Sequence, residues 1–326
     1  MTQLVNRRGG LERQGSRGYN LRVLKSALLA LVCTPLLMGG ACEKKPETPD
    51  NGAAVALEAG SGSAAPAGPV DTTPLQGIDL TKIDTDKQQI FYKLIGSLES
   101  PCGKGNESLR KSYTTDTSCK RAPLAVRYVV SLLQDEVPEA QVREAWEAKY
   151  KQGVPTVKLD VSHAPHAGTD GAPIRLVEFY DYGCPHCQAF KPMMEKVLAD
   201  EQGKVVEYFM QFPLEKHENS KSAASAALAA NAQGKFKEMH DLLFENAPNQ
   251  NHEQVTEMAK KLGLDMTKFE ADYAEALPQV ESDLHQGEGV GVDSTPTLFF
   301  NTRKYEGPMH PRYIEMWIDE ELAVNR

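Results

Sequence analysis

The sequence of 326 residues is long enough for more than one domain, since a domain typically has about 100 to 200 residues. It is 40% hydrophobic and 25% charged, which is the composition of an ordinary soluble globular chain. The net charge of −9 excludes the overall basic balance that nucleic-acid binding favours, so we expect no nucleic-acid partner. The negative charge is explained more simply by solubility than by a binding partner.

The first 41 residues differ in composition from the rest of the chain. Arg22 and Lys25 precede an apolar run over residues 27–38, and small residues follow it. The run is too short to span a bilayer, and a basic flank, an apolar core and small residues are typical of an export signal. We therefore predict that residues 1–41 are a signal peptide. Removing them would change the net charge from −9 to −14.

The end of this signal, Ala41-Cys42, resembles the lipobox of bacterial lipoproteins, in which small residues directly precede a cysteine. The resemblance implies that Cys42 receives lipid and becomes the first residue of the mature protein. Glu43 after it resembles a signal for sorting to the outer membrane. The pattern departs from the family at Gly39, where a leucine-like residue is usual. Cleavage after Ala41 without lipidation, which would leave a soluble periplasmic protein, is the alternative.

Residues 42–77 are rich in Ala, Gly, Pro, Ser and Thr and have no hydrophobic period. Such a segment cannot bury a core, so we predict a flexible linker that holds a catalytic domain away from the membrane.

Residues 78–152 show helical periodicity and predict three short amphipathic helices. The three apolar stripes are Ile90, Phe91, Leu94, Ile95 and Leu98; Leu124, Tyr128, Val129, Leu132 and Leu133; and Val142, Ala145 and Trp146. Cys102 and Cys119 lie in the polar loop between the first two helices. Since disulfides persist in exported proteins, we expect a structural Cys102–Cys119 disulfide. An auxiliary redox pair that passes electrons to Cys184 is the alternative.

Residues 184–187 have the sequence Cys-Pro-His-Cys, at the point where a strand pattern changes to a helical one. The run 174–180 predicts a buried strand, and apolar residues recur at helical spacing after Cys187. A cysteine that opens a helix faces unpaired N–H groups and the positive end of the helix dipole, which favour its thiolate. Cys187 is one turn further on, so the two sulfurs can form a disulfide. His186 adds a donor or a positive charge beside the Cys184 sulfur.

A CxxC motif can also be half of a zinc site or a static structural disulfide. Zinc requires four ligands, and the sequence has no second CxxC and no nearby His or Cys pair to complete the set. His163 and His166 lie in a polar region, and we interpret them as solvated. We expect no metal and no cofactor.

The elements around this motif follow a strand, helix, strand order. We predict a short strand at 154–161, a loop at 164–172 and a strand at 205–212, so that the CPHC helix lies in a βαβ unit. Helices are predicted at 220–232, 236–244 and 252–262, with one or two more through Tyr273 and Val280. Pro296 then directly precedes an apolar strand, where a cis peptide bond would make a tight turn.

With CPHC upstream and Thr295-Pro296 downstream, the chain from about residue 154 to its end resembles the DsbA-like branch of the thioredoxin superfamily. The resemblance implies an α/β thioredoxin-like fold over residues 153–326, with a helical insertion at about 214–288 and a small helical segment before it. A depressed pKa of the first cysteine is a known property of that family.

The resemblance also implies roles for single residues. Cys184 would be the nucleophile, Cys187 the resolving thiol and His186 the residue that tunes the thiolate. The Thr295-Pro296 loop would pair with the extended backbone of a client. Glu178 matches the buried acid of the family, which helps to move protons at the inner thiol; a surface glutamate on a strand is the alternative.

A weaker resemblance concerns the helical segment. Ser100-Pro101-Cys102-Gly103-Lys104 and the helices that follow resemble the small thiol domain of the CcmH family, which acts in cytochrome c maturation. That family carries a CxxC, whereas Gly105 stands here in the place of its second cysteine. The redox role of the CcmH family is therefore not expected of this segment.

These patterns together predict an exported protein thiol:disulfide oxidoreductase, a dithiol oxidase that forms disulfides in envelope proteins through Cys184 and Cys187. Its partners would be clients with thiols and a membrane electron-transfer protein of the DsbB or vitamin K epoxide reductase type. One alternative is a reductase or isomerase linked to cytochrome c maturation. Another is a non-enzymatic, lipid-anchored assembly module.

Overall fold

A computed structural model describes residues 69–151 and 156–324. The predicted signal peptide, the lipidation site Cys42 and most of the predicted linker lie outside the described residues. Within those residues, no helix combines the length and the apolar character that crossing a membrane requires.

Residues 78–151 form a small helical segment. Its helices are α1 (Thr85–Ser97), α2 (Leu109–Thr114), α3 (Ala122–Gln134) and α4 (Glu139–Tyr150). Helix α2 lies within the loop that separates the first two predicted helices, and it begins there because the Ser108 side chain accepts a hydrogen bond from the Lys111 N–H. A disulfide joins Cys102 to Cys119 across this loop, as the sequence predicts.

The rest of the described chain is built on a five-stranded mixed sheet. Its strands are β1 (His166–Gly168), β2 (Ile174–Tyr180), β3 (Val205–Gln211), β4 (Thr297–Phe300) and β5 (Arg303–Lys304), in the order β1-β3-β2-β4-β5. β2 and β3 are parallel, whereas the other neighbours are antiparallel. β2 is central and buried, which explains why five of its seven residues are apolar.

Two predictions at the start of this sheet were wrong. The predicted loop at 164–172 contains β1, an edge strand whose position is set by its pairing with β3, not by a pattern of its own. Of the strand predicted at 154–161, the described residues 156–161 contain only an isolated bridge between Thr156 and Arg303.

Helices cover the sheet and fill the interval between β3 and β4. They are α5 (Pro185–Asp200), α6 (Ser220–Asn231), α7 (Phe236–Glu245), α8 (His252–Lys261), α9 (Met266–Glu275), α10 (Leu277–Gly289) and the C-terminal α11 (Pro311–Val324). Helices α6 to α10 form the predicted helical insertion. The sequence interpretation named no helix at α11, which packs with α5 against one face of the sheet.

Helix α11 also connects the helical segment to the sheet. Tyr313 belongs to the apolar core of the helical segment, although it lies on α11. Next to this core, Lys149 and Glu320 form an ion pair of 3.1 Å and are both buried. The hydroxyl of Tyr150 donates to the same carboxylate at 2.8 Å.

Candidate active site

Cys184 is the N-cap residue of α5, and Pro185 occupies the first helical position. Proline suits that position because its fixed φ angle is helical and the N–H that it lacks would have no partner there. The Cys184 N–H donates to the Asp181 carbonyl at 3.0 Å, which closes the turn between β2 and the helix. Cys184 and Cys187 are free thiols, and both residues are buried.

The two sulfurs have opposite acidities. The hydrogen bond from the Cys187 thiol is the main factor that lowers the pKa of Cys184 to about 4, and it outweighs burial, which acts in the other direction. The Thr295 side chain and the N–H groups of Cys187 and His186 lower this pKa further. Burial, the hydrogen bond with Cys184 and the charge of Glu178 raise the pKa of Cys187 far above its usual value.

The helix start therefore favours a thiolate at Cys184, as predicted, but through specific groups. In the thiol form the Cys184 side chain makes no cap hydrogen bond, whereas the first-turn N–H groups favour the charged form of its sulfur. The His186 side chain is exposed, and it is the N–H of this residue that contributes to the low pKa. A tuning role for the His186 side chain stays a prediction.

The loop before β4 lies against the nucleophile. The Thr295–Pro296 peptide bond is cis. The Cys184 thiol donates to the Thr295 carbonyl oxygen, with 3.4 Å between the two atoms. The hydroxyl of Thr295 is buried and has no other partner among the described residues, so it can donate to the Cys184 thiolate.

Two carboxyl groups lie close to the inner thiol. Glu178 on β2 and Glu207 on β3 are 6% and 1% exposed, so the alternative of a surface glutamate is excluded for Glu178. Leu176 is in register with Glu207 and Glu178 with Phe209, which places both carboxyl groups on one face of the parallel pair. Their side chains are hydrogen-bonded to each other. Burial raises the pKa of both carboxyl groups, so the pair retains a proton to a higher pH than exposed carboxyl groups do.

A cavity of about 40 Å³ adjoins this pair. Both glutamates, Cys187 and the helix residues Lys191 and Lys237 contribute to its lining. Such a volume accommodates a water molecule. One side-chain oxygen of Glu207 is buried and has no hydrogen-bond partner among the described residues. The cavity thus adjoins both the buried thiol and charged residues of α5 and α7.

A family model described as Thioredoxin matches residues 160–320. These residues include CPHC, the helical insertion and the Thr295-Pro296 loop. Residues 160–320 form a thioredoxin-like domain. The predicted superfamily and the predicted fold are thereby confirmed.

Curated relatives of this chain include proteins of two kinds. Na(+)/H(+) antiporter NhaA 1 of Mycobacterium sp. (strain KMS) is 34% identical over 146 residues, which are 43% of this chain and 24% of that protein. The chain thus spans about a quarter of the length of the first relatives that it matches. Disulfide bond formation protein D of Bacillus subtilis (strain 168) is 29% identical over 187 residues, which are 52% of this chain and 80% of that protein.

Solved structures that are similar to part of this chain include two with 26% sequence identity. The crystal structure of oxidised BdbD from Bacillus subtilis has 26% sequence identity and covers 52% of this chain and 98% of its own, with a TM-score of 0.45. A thioredoxin-like oxidoreductase from Silicibacter pomeroyi DSS-3 also has 26% identity and covers 48% of this chain and 91% of its own, with a TM-score of 0.43.

The thioredoxin-like domain brings together most of the residues that the sequence singled out. Cys184, Cys187, Thr295, Pro296 and Glu178 lie at one site. His163 lies elsewhere, and its interpretation as solvated was wrong, because its Nε2 lies 2.7 Å from an oxygen of the fully buried Asp283.

Two residues of the site, Glu207 and Asp181, were not predicted from the sequence. Glu207 had a signal, since it is an acid within a mainly apolar strand, but its pairing with Glu178 on β2 is apparent only in the folded sheet. Asp181 lies between β2 and CPHC, and it looks like an ordinary turn residue in the sequence. Within the described residues, no cluster of His, Cys, Asp or Glu has the composition of a metal site.

Proposed function

We propose that the thioredoxin-like domain is a protein thiol:disulfide oxidoreductase, and that it works as a dithiol oxidase through Cys184 and Cys187. The opposite pKa shifts of the two sulfurs carry the proposal, because a pKa of about 4 stabilises the Cys184 thiolate in the reduced protein. Stabilising the reduced form makes the disulfide form a stronger oxidant. The pair therefore tends to give its disulfide to other thiols.

The reaction proceeds by two exchanges. A client thiolate attacks the Cys184 sulfur of the Cys184–Cys187 disulfide, so that a mixed disulfide forms and Cys187 leaves as a thiolate. A second client thiolate then attacks the client sulfur of the mixed disulfide and releases the Cys184 thiolate. Two electrons pass from the client to the cysteine pair, and the client gains a disulfide. The low pKa of Cys184 makes it a good leaving group.

Protonation of Cys187 completes the first exchange. The Cys187 thiolate lies in a buried place that disfavours its charge, and it therefore needs a proton when it leaves. The Glu178–Glu207 pair holds that proton and borders the same cavity. We assign to Glu178 the transfer of the proton to Cys187, with Glu207 sharing the remaining charge. The same groups accept the proton when Cys187 attacks during reoxidation.

The Thr295-Pro296 loop is the proposed docking edge for the client. Its carbonyl and the Cys184 sulfur are neighbours, so a client cysteine that reaches Cys184 brings its own backbone beside this loop. An extended client segment would pair there through main-chain hydrogen bonds. This mode of binding depends little on the client side chains and suits many clients.

Reoxidation needs an electron acceptor outside the chain. We propose a membrane partner of the DsbB or vitamin K epoxide reductase type, which would take two electrons from the cysteine pair.

We also propose export and lipidation at Cys42, on the basis of the signal pattern and Ala41-Cys42. Incorporation of labelled fatty acid into the full chain, compared with Cys42→Ser, tests the anchor. Equal labelling of the two would contradict it.

The proposed direction of electron flow is tested with the full chain and a dithiol peptide. The oxidised protein should oxidise the peptide, and Cys184→Ala should lose this activity, whereas the double variant Cys102→Ala/Cys119→Ala should retain it.

The reduction potential of the Cys184–Cys187 pair should be more oxidising than that of glutathione. A strongly reducing potential would favour a reductase, and equal activity of Cys184→Ala and the parent would leave no enzyme. Cys187→Ala should accumulate mixed disulfides that identify the clients.

A further inference from the structure

Asp181 has the most heavily hydrogen-bonded carboxylate near the active site. It lies three residues before Cys184 and is 2% exposed. One oxygen accepts the Gly183 N–H at 2.7 Å and the Ser220 hydroxyl. The other accepts the Leu214 N–H at 2.9 Å and lies 2.6 Å from Nδ1 of His217. Four donors thus converge on one buried carboxylate, which the proposed exchange mechanism does not use.

The backbone of Asp181 contacts both cysteines. Its carbonyl accepts the Cys184 N–H at 3.0 Å, and this bond fixes the N-cap residue relative to the end of β2. Its N–H interacts with the Cys187 sulfur and favours the thiolate there. Any movement of the Asp181 backbone would therefore change the position of one sulfur relative to the other.

Three of the four donors come from outside the active-site turn. Leu214 and His217 lie in the connection from β3 to α6, and Ser220 is the first residue of α6, at the start of the helical insertion. This connection is packed tightly on the turn, since a Cβ atom at Gly183 would lie 2.7 Å from both the Cβ of His217 and the Oγ of Ser220. The carboxylate of Asp181 is the polar link between these two chain segments.

We propose that Asp181 is a positioning residue for the CPHC turn, and that it fixes Cys184 and Cys187 by joining the turn to the start of the helical insertion. The inference rests on the proposed redox function of the cysteine pair. The side-chain carboxylate of Asp181 does not contact the reacting sulfurs. It acts on their positions through the backbone of residues 181–184. His217 maintains the link whether its ring is neutral or charged, because Nδ1 can donate in both states.

A positioning role and a charge effect predict opposite results for Asp181→Asn. Neutralising a nearby negative charge would stabilise the Cys184 thiolate and lower its pKa. Loss of the hydrogen bonds that position the turn would instead raise the pKa of Cys184. The amide nitrogen of asparagine cannot accept hydrogen bonds, so one pair of donors loses its acceptor and the turn shifts away from the first-turn N–H groups.

The experiment is a pH titration of the Cys184 thiolate by ultraviolet absorbance in the full chain, with Asp283→Asn as the matched control. Asp283 is equally buried, and it too accepts from a backbone N–H, a histidine ring and a polar side chain, but its partners Gln211, His163 and Gln279 all lie outside residues 181–184. We expect Asp181→Asn to raise the pKa of Cys184 by about one unit, a tenfold change in its ionisation constant, and to shift the glutathione equilibrium about tenfold toward the disulfide. Asp283→Asn should lose stability while both values stay at those of the parent.

A lowered or unchanged pKa of Cys184 in Asp181→Asn would overturn the proposal, and so would equal shifts in both variants. Should Asp181→Asn fail to fold, His217→Ala and Ser220→Ala remove one donor each and should raise the same pKa by a smaller amount; no change in either would also overturn it. His217→Gln should raise the pKa of Cys184 less than His217→Ala does, because the glutamine amide can donate to Asp181. Failure of the redox function itself would appear differently, as an ordinary thiol pKa for Cys184 in the parent.

Discussion

The Cys184 sulfur lies 3.4 Å from the carbonyl oxygen of Thr295, a residue 111 positions further along the chain. The two meet because β4 pairs with β2, with Thr297 opposite Phe179 in the register. The loop before β4 and the turn after β2 therefore lie at the same edge of the sheet. This neighbourhood places a carbonyl and a buried hydroxyl beside the reacting sulfur.

The hydroxyl of Thr295 should contribute to the acidity of Cys184. Thr295→Val keeps the shape of the side chain and removes its hydroxyl donor, so we expect the pKa of Cys184 to rise by about half a unit to one unit. The measurement is the ultraviolet titration of the thiolate. Thr256→Val, on α8, removes a hydroxyl that donates to Glu270 and should leave the titration unchanged. An unchanged curve in Thr295→Val would contradict the assignment.

The buried glutamate pair should make stability depend on pH. Burial raises the pKa of Glu178 and Glu207 above the ordinary value of 4.5, so the native state keeps a proton that the unfolded chain releases. Stability is then fully present below 4.5 and declines as pH rises through the raised pKa. Glu207→Gln is always neutral, and it should therefore unfold at higher urea concentration than the parent near pH 8. The expected gain is about 1.4 kcal/mol for each pH unit that separates the native pKa from the unfolded pKa. No gain at that pH would contradict a raised pKa.

The same pair should affect the rate of disulfide exchange. Glu178→Gln cannot take up a proton, so attack of Cys187 on a mixed disulfide should slow by about 100-fold, in the range of lost acid–base catalysis. The readout is stopped-flow resolution of a Cys184 mixed disulfide with glutathione. The matched control is Glu321→Gln, since Glu321 is equally buried but binds Asn301 and Arg303. Its rate should equal that of the parent; equal slowing in both variants would indicate a general loss of structure.

The ion pair between Lys149 and Glu320 should stabilise the contact of the helical segment with α11. Lys149→Met leaves the buried Glu320 with Tyr150 and Arg121 as its partners, so we expect a loss of about 3 kcal/mol in the free energy of unfolding. The exposed pair of Lys151 and Glu147 provides the comparison, and Lys151→Met should change stability by less than about 0.5 kcal/mol. Urea denaturation measures both. Similar values for the two lysines would contradict the role of burial.

The Cys102–Cys119 disulfide should act on stability and not on exchange. It closes a loop with a sequence separation of 17 residues, for which chain entropy predicts about 3 kcal/mol. The double variant Cys102→Ala/Cys119→Ala should unfold at lower urea concentration and oxidise the dithiol peptide at the rate of the parent. The reverse result, normal stability with slow turnover, would instead support an electron relay to Cys184.

Local sequence determined the elements that carry the chemistry. The apolar run of β2, the CPHC motif at a helix start and the proline before β4 each have a signal within about ten residues, and the strand over residues 174–180 was predicted with its observed bounds. These signals arise from burial on both sides of a strand, from unpaired N–H groups at a helix start and from the fixed φ angle of proline. Each depends on neighbours in the chain, so each is readable without the fold.

Tertiary structure alone decided which distant groups meet at the sulfurs. The pairing of β2 with β3 brings Glu207 to Glu178, the pairing of β2 with β4 brings Thr295 to Cys184, and the packing of the helical insertion brings His217 to Asp181. The edge strand β1 likewise exists through its partner β3 and not through its own sequence. Strand register and helix packing depend on the free energy of the whole core, and no local pattern records them.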